Sequence, residues 1–399
     1  MRVLTLYNRV PWPRRDGGVI AVMLMHELLR DHDYINEMMC LNPSRNYVDE
    51  ELIPDELYKE LSLSICPINT DLTMIGGFLN LLSSAPYNTS RFFSRTFEEQ
   101  LILRLRNRKY NLIVLEAPFM GVYLPVIRRY SKAKVILRAH NIDHLIWVRM
   151  AANCRNPIKK LYLKLQSERF KRYETELVQS VDAVVPISRV DARWFEQFKP
   201  YQAVCVSVPA VKLPTMPVMP VHKITTLGFI GTLDWRPNVE GIQWFLQHCW
   251  PAIHQAHPEL TFRLAGRNMP PELAKLELPG LEIVGEVTDA NYFLRGLQLF
   301  VAPLFTGSGI RIKLIEALAV GLPAVTTPIG AEGLPVEHGR ELMLAKTAEG
   351  FVQAVSQMVK DPHKASMIGD RGRVFVSEYF NREKTGRELD RFYRFLVYG

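Results

Sequence analysis

Short apolar runs and amphipathic stretches alternate along the first half of the chain. Stretches with apolar residues at helical spacing lie between the runs, beginning with Val19 to Leu29. Because buried strands that alternate with helices form parallel sheets, this pattern predicts an α/β domain. The predicted strands of this half cover residues 3–7, 34–41, 61–68, 111–116, 134–138 and 181–187.

The same alternation begins again after residue 223. Helices are predicted from about Val239 to His254, at residues 292–297, and between a Gly-Ser-Gly turn and Gly321. A charged helical tail follows from residue 361. The predicted strands of this half cover residues 224–231, 261–265, 281–284, 299–304 and 323–327.

A proline-rich stretch separates the two halves. Residues 209–223 carry four prolines, which predicts a stiff, extended connector. We therefore predict an amino-terminal domain at residues 1–210, a linker at 211–223 and a carboxyl-terminal domain at 224–380. Residues 381–399 are predicted to form a helix that either packs on the second domain or crosses back to brace the first.

Composition limits the classes of function. The chain has 399 residues, of which 48% are hydrophobic and 23% charged, so two globular domains are expected. A net charge of +8 favours anionic partners, but no nucleic-acid-binding module is recognisable, so nucleic acid is not expected. No apolar run approaches the roughly 18–20 residues of a membrane span, and we expect a cytoplasmic protein. Five scattered cysteines argue against a disulfide framework or a zinc site and are expected to be buried.

The stretch from residue 299 to 333 contains the strongest candidate for a ligand site. A predicted strand leads into the turn Gly307 to Gly309 and then into a helix, an arrangement that directs free N–H groups at a phosphate. Glu316 lies in that helix among apolar residues and therefore needs a partner. One interpretation is an ion pair with Lys313. The other is that Glu316 binds hydroxyl groups of a ligand whose phosphates rest on the turn, with Arg311 or Lys313 adding positive charge.

Two further candidates in the first half lie where open α/β sheets bind ligands. The loop that contains Gly17 and Gly18 follows the first predicted strand and either receives a ligand or makes a tight turn. Arg138 and His140 stand at the carboxyl end of another predicted strand. His140 is a catalytic candidate, although a purely structural histidine is an equally good interpretation.

In the second half, glycines end the predicted strands and line a crevice for a flat or anionic ligand. Gly231 ends the first of these strands, and the turn of Gly266 and Arg267 ends the second. Arg236 lies just ahead of a predicted helix, where it either holds a diphosphate or is an ordinary surface arginine.

A metal site is not expected. Asp31-His32-Asp33 has the D-x-D form found in some metal-dependent sugar transferases, but it follows the first helix and is better interpreted as a polar turn. No pair of carboxylates is placed as acid and nucleophile, which disfavours a two-carboxylate hydrolase.

Two segments combine basic and large apolar residues. Residues 72–97 include Arg91 and Arg95, and residues 159–174 alternate basic and apolar residues at helical spacing. Either segment could lie on an anionic membrane surface. The alternative is an amphipathic helix that packs on the sheet and exposes a basic face to solvent.

Several motifs resemble the donor-binding half of family-4 glycosyltransferases of the GT-B architecture. They are FIGTLDWRPNVEGIQWF, the AGRN turn, LEIVGEVTD and LFVAPLFTGSGIRIKLIEALAVGLPAVTTPIGAEG. The resemblance is strong over about residues 224–380. It is weaker in the amino-terminal half, where it rests on PWPRRDGG, RAHN and VDAVVPIS.

The resemblance implies two Rossmann-like domains that face each other across a cleft, with the nucleotide-sugar donor held by the second domain and the acceptor by the first. Two glutamates eight positions apart mark the donor site of the family. Glu316 matches the later one, which contacts the ribose, whereas Ser308 occupies the position of the earlier one, which contacts the sugar.

Other family roles transfer to matching positions. Arg236 and Lys313 resemble the basic residues that hold the diphosphate, although Thr232 replaces a usual arginine. His140 matches a histidine near the donor sugar, Gly18 matches the glycine loop that faces the phosphates, and Val287 would lie by the nucleobase. The remaining predicted donor-site residues are Arg138, Gly231, Arg267, Gly307, Gly309, Ile310 and Arg311.

These expectations combine into one predicted function. The chain is expected to move a hexose from a nucleotide-diphosphate sugar to a glycan or lipid-linked acceptor, with retention of configuration and without a metal or a separate cofactor, in surface polysaccharide assembly. An anionic membrane surface is a further predicted partner. The alternatives are an inactive relative that binds nucleotide or glycan, which Ser308 favours, and a sugar-nucleotide epimerase.

Overall fold

The structure is a computed structural model, and it describes residues 1–14, 17–71, 80, 86–209, 223–307 and 309–399. The candidate Ser308, most of the predicted linker and much of the apolar segment at residues 72–97 lie outside the described residues. The chain divides into two units. One comprises Met1–Ala210 together with Arg382–Gly399, and the other comprises Val211–Asn381.

The first unit is built on a six-stranded sheet in which every pairing is parallel. The strand order is β3-β2-β1-β4-β5-β6, so the order reverses between β1 and β4. Ligands bind open α/β sheets at the carboxyl ends of the strands at such a reversal. The strands are β1 (Arg2–Tyr7), β2 (Ile35–Pro43), β3 (Ser64–Ile68), β4 (Leu112–Glu116), β5 (Lys134–Ala139) and β6 (Ala183–Pro186).

Helices cover both faces of this sheet. Its strands are buried on both sides. Val135 and Ile136 are consecutive residues of β5 that point to opposite faces, and they belong to different apolar clusters. The helices are α1 (Gly17–Asp31), α2 (Asp55–Leu61), α3 (Tyr87–Ser90), α4 (Arg95–Asn107), α5 (Leu124–Tyr130), α6 (Asp143–Ala152), α7 (Pro157–Ser180) and α8 (Arg189–Phe195).

The second unit repeats the architecture with the order β12-β11-β10-β7-β8-β9, again all parallel. The order reverses between β7 and β10. The strands are β7 (Thr226–Ile230), β8 (Thr261–Ala265), β9 (Leu281–Gly285), β10 (Leu299–Ala302), β11 (Ala324–Thr326) and β12 (Met343–Leu344). The helices are α9 (Arg236–His248), α10 (Trp250–Ala256), α11 (Pro271–Ala274), α12 (Ala290–Arg295), α13 (Ile312–Ala319), α14 (Ala348–Lys360) and α15 (Pro362–Tyr379).

The last helix, α16 (Arg382–Tyr398), packs on the first unit. The hydroxyl of Tyr34 donates to Asp390 Oδ1 at 2.8 Å, and Leu389 and Tyr393 join an apolar cluster with β1, β4, β5 and β6. The helix therefore covers one face of the first sheet.

Three sequence predictions of local structure were wrong. Helix α1 begins at Gly17, so Gly17 and Gly18 lie in its first turn and not in a preceding loop. The strand predicted from residue 61 begins at Ser64, because α2 extends to Leu61. The helix predicted from Val239 to His254 is two helices that break at Cys249, because Pro251 lacks the N–H that a continuous helix needs.

The cysteines agree in part with the expectation that they are buried. All five cysteines are unpaired, and Cys40, Cys66 and Cys249 are buried as predicted, whereas Cys154 and Cys205 are only half-buried. Every helix among the described residues is too short or too polar to span a lipid bilayer.

Candidate active site

The carboxyl ends of β7, β8 and β9 are held closely together. The N–H of Gly231 donates to Ala265 O at 3.3 Å, and the N–H of Gly266 donates to Gly285 O at 2.8 Å. A Cβ atom built on Gly266 would lie 2.1 Å from the carbonyl oxygen of Gly231. Glycine is therefore required where these loops meet, and the loops present backbone at this edge of the sheet, as the sequence indicated.

Helix α9 packs directly against the loop that follows β10. A Cβ atom on Gly241 would lie 1.9 Å from the carbonyl oxygen of Pro303. Arg236 is the first residue of α9, and its Nε lies 2.5 Å from Glu240 Oε1. Thr306 donates to the other oxygen of Glu240 at 3.4 Å. Glu240 thus connects the start of α9 to the residue that precedes the Gly307 turn.

The turn between β10 and α13 needs glycine at two positions. Gly307 and Gly309 have φ values of +96° and +79°, in the left-handed region that other residues rarely adopt. A Cβ atom on Gly307 would lie 3.0 Å from Arg311 Nη2, so the guanidinium group lies close to the turn. The side chain of Ile310 is only 8% exposed and packs in the core.

Lys313 and Glu316 form an ion pair on α13, with 2.6 Å between Nζ and Oε2. Both side chains are partly exposed, at 25% and 17%. The first interpretation of Glu316 is thus realised in the structure, while its predicted contact with a ribose stays a prediction. Helix α13 ends as predicted, since Gly321 has a φ of +82° two residues after its end.

The other predicted donor residues of this unit lie at the same edge of the sheet. The main-chain oxygen of Arg267 accepts a hydrogen bond from Leu233 N–H at 2.9 Å, which fixes the loop after β8. Val287 is half-buried and follows β9. The parallel sheet therefore brings together Gly231, Arg236, Arg267 and the Gly307 turn, because every strand runs in the same direction.

In the first unit, a buried carboxylate joins His140 to Arg138. Glu116 Oε2 lies 2.6 Å from His140 Nε2 and 2.9 Å from Arg138 Nη1, and Glu116 Oε1 lies 3.2 Å from the same Nη1. Glu116 and Arg138 are each 1% exposed, and the side chain of His140 is 15% exposed. Glu116 was not a candidate in the sequence, although an acid that ends an apolar strand was the available signal.

The burial of Arg138 argues against its predicted contact with a donor. Its Nη2 donates to the carbonyl oxygen of Ala21 in α1 at 3.1 Å, and its Nη1 is used by Glu116. Because the guanidinium group is enclosed by these partners, the structure favours a positioning role for it.

Opposing effects set the pKa values in this cluster. Burial raises the pKa of Glu116, whereas the charge of Arg138 and the hydrogen bond from His140 lower it. The lowering effects are the larger, so the pKa of Glu116 lies below its usual value. The pKa of His140 is lowered mainly by burial and also by the charges of Arg138 and Arg9, against the raising effect of Glu116. These two shifts favour an ionised Glu116 and a neutral His140.

The Asp31-His32-Asp33 segment forms the predicted polar turn. Asp33 has a φ of +61°, and Asp31 accepts from Arg382 Nη2 at 2.6 Å. Within the residues that the structure describes, no group of three His, Cys, Asp or Glu side chains is arranged to hold a metal ion.

Comparisons with known proteins agree with this fold. Residues 224–361 match the family model for glycosyl transferases group 1. A 44.6 kDa protein of unknown function from the cps region of Klebsiella pneumoniae is 22% identical over 410 residues, covering 96% of this chain and 97% of that protein. The lipopolysaccharide core biosynthesis mannosyltransferase LpsB of Rhizobium meliloti is 28% identical over 161 residues, covering 37% of this chain and 46% of LpsB.

A solved structure supports the same assignment of fold. HepE of Anabaena in complex with UDP-glucose matches with a TM-score of 0.65 and 14% identity, covering 98% of each chain. Residues 224–361 thus match group 1 glycosyltransferases, and the chain as a whole has the GT-B fold. The resemblance noted in the sequence is thereby confirmed at this level.

Proposed function

We propose that the enzyme transfers a hexose from a nucleotide-diphosphate sugar to a glycan or lipid-linked acceptor in cell-surface polysaccharide assembly. The observation that carries the proposal is the Gly307 turn, which lies beside Arg311 and leads into α13, whose second residue is Lys313. Backbone N–H groups, a helix start and fixed cations in one place suit a diphosphate.

The chemistry of transfer supports this use of the site. Breaking a sugar–phosphate bond leaves negative charge on the departing diphosphate, and fixed cations there stabilise the transition state. Arg236 and Lys313 are proposed to supply this charge, so that neither a metal nor a separate cofactor takes part. We propose further that configuration is retained and that His140 lies near the donor sugar.

Each proposed cation already has an acidic partner. Arg236 lies against Glu240, and Lys313 lies against Glu316. A bound diphosphate would compete for both cations, which would leave Glu316 able to accept hydrogen bonds from ribose hydroxyls. The ion pair and the proposed ligand role of Glu316 are therefore compatible as two states of one site.

The relatives support the class of donor and pathway. LpsB is a mannosyltransferase of lipopolysaccharide core biosynthesis, HepE was solved with UDP-glucose, and the Klebsiella relative is encoded in a cps region. These findings favour a hexose donor and a surface-polysaccharide product for this chain.

A thermal-shift panel with UDP, GDP, TDP and their monophosphates tests the donor site. A ligand at 100 times its dissociation constant adds about 2.7 kcal/mol to stability. One diphosphate is expected to raise the melting temperature more than its monophosphate does, and Glu316→Gln is expected to remove that difference.

The control is Glu378→Gln, which changes an exposed glutamate on α15 and should respond like the wild type. The donor-site proposal fails if no diphosphate stabilises the protein or if Glu316→Gln responds normally. Nucleotide binding without transfer from any donor would instead favour the inactive relative.

We also propose that the enzyme works at the cytoplasmic face of an anionic membrane, through α7. Ile158, Leu161 and Leu165 lie at helical spacing and are 81%, 71% and 40% exposed. Residues 141–172 contain eight Lys or Arg against two Asp or Glu. An apolar stripe within a strongly basic segment suits a bilayer that carries acidic lipids.

Vesicle flotation tests this association. The protein is expected to float with vesicles that contain phosphatidylglycerol, less so in high salt, and Leu161→Glu is expected to abolish flotation. The matched control is Val374→Glu, because Val374 is 48% exposed on α15 in the second unit. Equal binding to neutral vesicles, or unchanged flotation of Leu161→Glu, would contradict the proposal.

A further inference from the structure

Helix α9 packs against the loop that leads from β10 to the Gly307 turn. A Cβ atom on Gly241 would lie 1.9 Å from the carbonyl oxygen of Pro303, so helix and loop touch through their backbones. The ring of Trp244 meets that of Phe305 edge to face, with 4.5 Å between the ring centroids. Because close-packed atoms leave little room for adjustment, these contacts fix the position of α9 relative to the Gly307 turn.

Glu240 lies between a cation and this turn. Its Oε1 atom lies 2.5 Å from Nε of Arg236, one helical turn earlier, and its Oε2 atom accepts a hydrogen bond from the Thr306 hydroxyl at 3.4 Å. Thr306 is only 4% exposed, whereas the side chains of Arg236 and Glu240 are 49% and 36% exposed. The carboxylate therefore contacts a buried residue on one side and a solvent-accessible guanidinium group on the other.

The two partners of Glu240 differ in how easily they can be exchanged. Thr306 immediately precedes Gly307 and is buried in the fold. The ion pair with Arg236 is exposed, and exposed pairs at this spacing are weak because water and salt screen them. An anion that binds at the Gly307 turn can therefore take Arg236 from Glu240, while the carboxylate stays beside the turn.

The diphosphate product of transfer carries more negative charge than the nucleotide-sugar donor. When the sugar leaves, the terminal phosphate gains an ionisable oxygen with a pKa of about 6, so this phosphate is mostly a dianion at neutral pH. Cations that stabilise the departing charge therefore also hold the released diphosphate strongly, and product release limits the rate of many enzymes. A carboxylate that competes for one of these cations weakens that binding.

We propose that Glu240 is a positioning residue that competes with the departing diphosphate for Arg236 and thereby promotes product release. Without a ligand, Glu240 holds the guanidinium group beside α9. When the diphosphate is bound, Arg236 contacts the phosphate, and after transfer Glu240 takes Arg236 back. The proposal rests on the proposed function, because it assumes that Arg236 binds the diphosphate. It gives Glu240 the opposite effect from Glu316, which is proposed to hold the nucleotide.

Isothermal titration calorimetry tests this competition, with the nucleoside diphosphate (UDP, GDP or TDP) that the thermal-shift panel identifies. Glu240→Gln keeps the shape of the side chain and its ability to accept from Thr306, but it removes the charge that holds Arg236. We expect this variant to bind the diphosphate about two- to fivefold more tightly, since an exposed ion pair shifts an equilibrium by up to about fivefold. The gain should shrink in high salt, because salt screens exposed charges.

Product inhibition gives a second readout. In steady-state transfer assays, the inhibition constant of the same nucleoside diphosphate is expected to fall in Glu240→Gln by the factor by which its affinity rises. Glu316→Gln is expected to respond in the opposite direction, because the nucleotide loses a proposed ribose contact. A role of Glu240 in folding alone would not strengthen the binding of a product.

Removal of Arg236 shows whether Glu240 acts through it. In an Arg236→Gln background, Glu240→Gln is expected to leave the affinity for the diphosphate unchanged, because the cation for which the two compete is gone. Glu99→Gln is the matched control, since Glu99 pairs with Arg95 at the same four-residue spacing on α4 and both side chains are exposed. It changes the net charge by the same amount and should bind the diphosphate like the wild type.

Two results would overturn the role of Glu240 alone. One is a Glu240→Gln protein whose affinity for the diphosphate is unchanged or weaker. The other is a gain in affinity that persists in the Arg236→Gln background, since the gain would then come from direct repulsion between Glu240 and the phosphate. If the wild type binds no nucleoside diphosphate, or if Arg236→Gln binds it as tightly as the wild type, the proposed function fails at this site and the role of Glu240 fails with it.

Discussion

Replacing Lys313 by alanine is expected to lower the rate of glycosyl transfer about 10²- to 10³-fold. Lys313 stands in the first turn of α13, after the Gly307 turn, with its ammonium group 2.6 Å from Glu316. If the leaving diphosphate binds there, the ammonium group faces the charge that develops in the transition state, and loss of one such fixed group costs about 3–4 kcal/mol.

The measurement is the rate of nucleoside diphosphate release with saturating donor and acceptor, using the base identified in the thermal-shift panel. Lys360→Ala is the control, because Lys360 is an exposed lysine in the last turn of α14. A Lys313→Ala enzyme with at least half of the wild-type turnover would rule out a role for Lys313 in stabilising the leaving group.

Replacing Arg138 by leucine is expected to destabilise the first unit by about 3–5 kcal/mol. Arg138 and Glu116 are each 1% exposed, so the substitution leaves a carboxylate buried without its main counter-charge. Removing one partner of a buried ion pair lowers the free energy of unfolding by about this amount, because the remaining charge stays buried without water or a counter-charge. The hydrogen bond from Arg138 to the carbonyl oxygen of Ala21 is lost as well.

Urea unfolding followed by circular dichroism measures the effect. Arg95→Leu is the control, since Arg95 also pairs with a glutamate in the same unit but its side chain is 86% exposed. That exposed pair should contribute less than about 1 kcal/mol. Equal unfolding midpoints for the two variants would show that the Glu116–Arg138 pair does not hold the unit together.

Most strands were predictable because parallel strands buried on both faces are short, nearly continuous apolar runs. The wrong predictions concern positions at which tertiary packing or the end of a helix overrides the local pattern. Residue 61 is apolar and was placed in a strand, yet it packs as the last residue of α2. Gly17 and Gly18 have poor helix propensity, yet they begin α1 because its apolar face is held in the core.

The contacts of the candidate site were likewise predictable only where they join residues that are close in the sequence. The pairing of Lys313 with Glu316 was accessible from the sequence, because three residues of helix bring two side chains to one face. The partner of Arg138 was not, because Glu116 precedes it by 22 residues and meets it only when β4 and β5 pair in register. An arginine at the end of a strand was therefore interpreted as a ligand contact.

The sequence by itself determined the alternation of strands and helices, the glycines at the ends of β7, β8 and β9, and the motifs that resemble a group 1 glycosyltransferase. These features are local, since they depend on residues a few positions apart. The tertiary structure alone decided that α16 covers the first sheet, that Gly241 lies against Pro303, and that Glu116 joins Arg138 to His140. Such contacts join distant parts of the chain, and they depend on strand register and close packing, which no local pattern encodes.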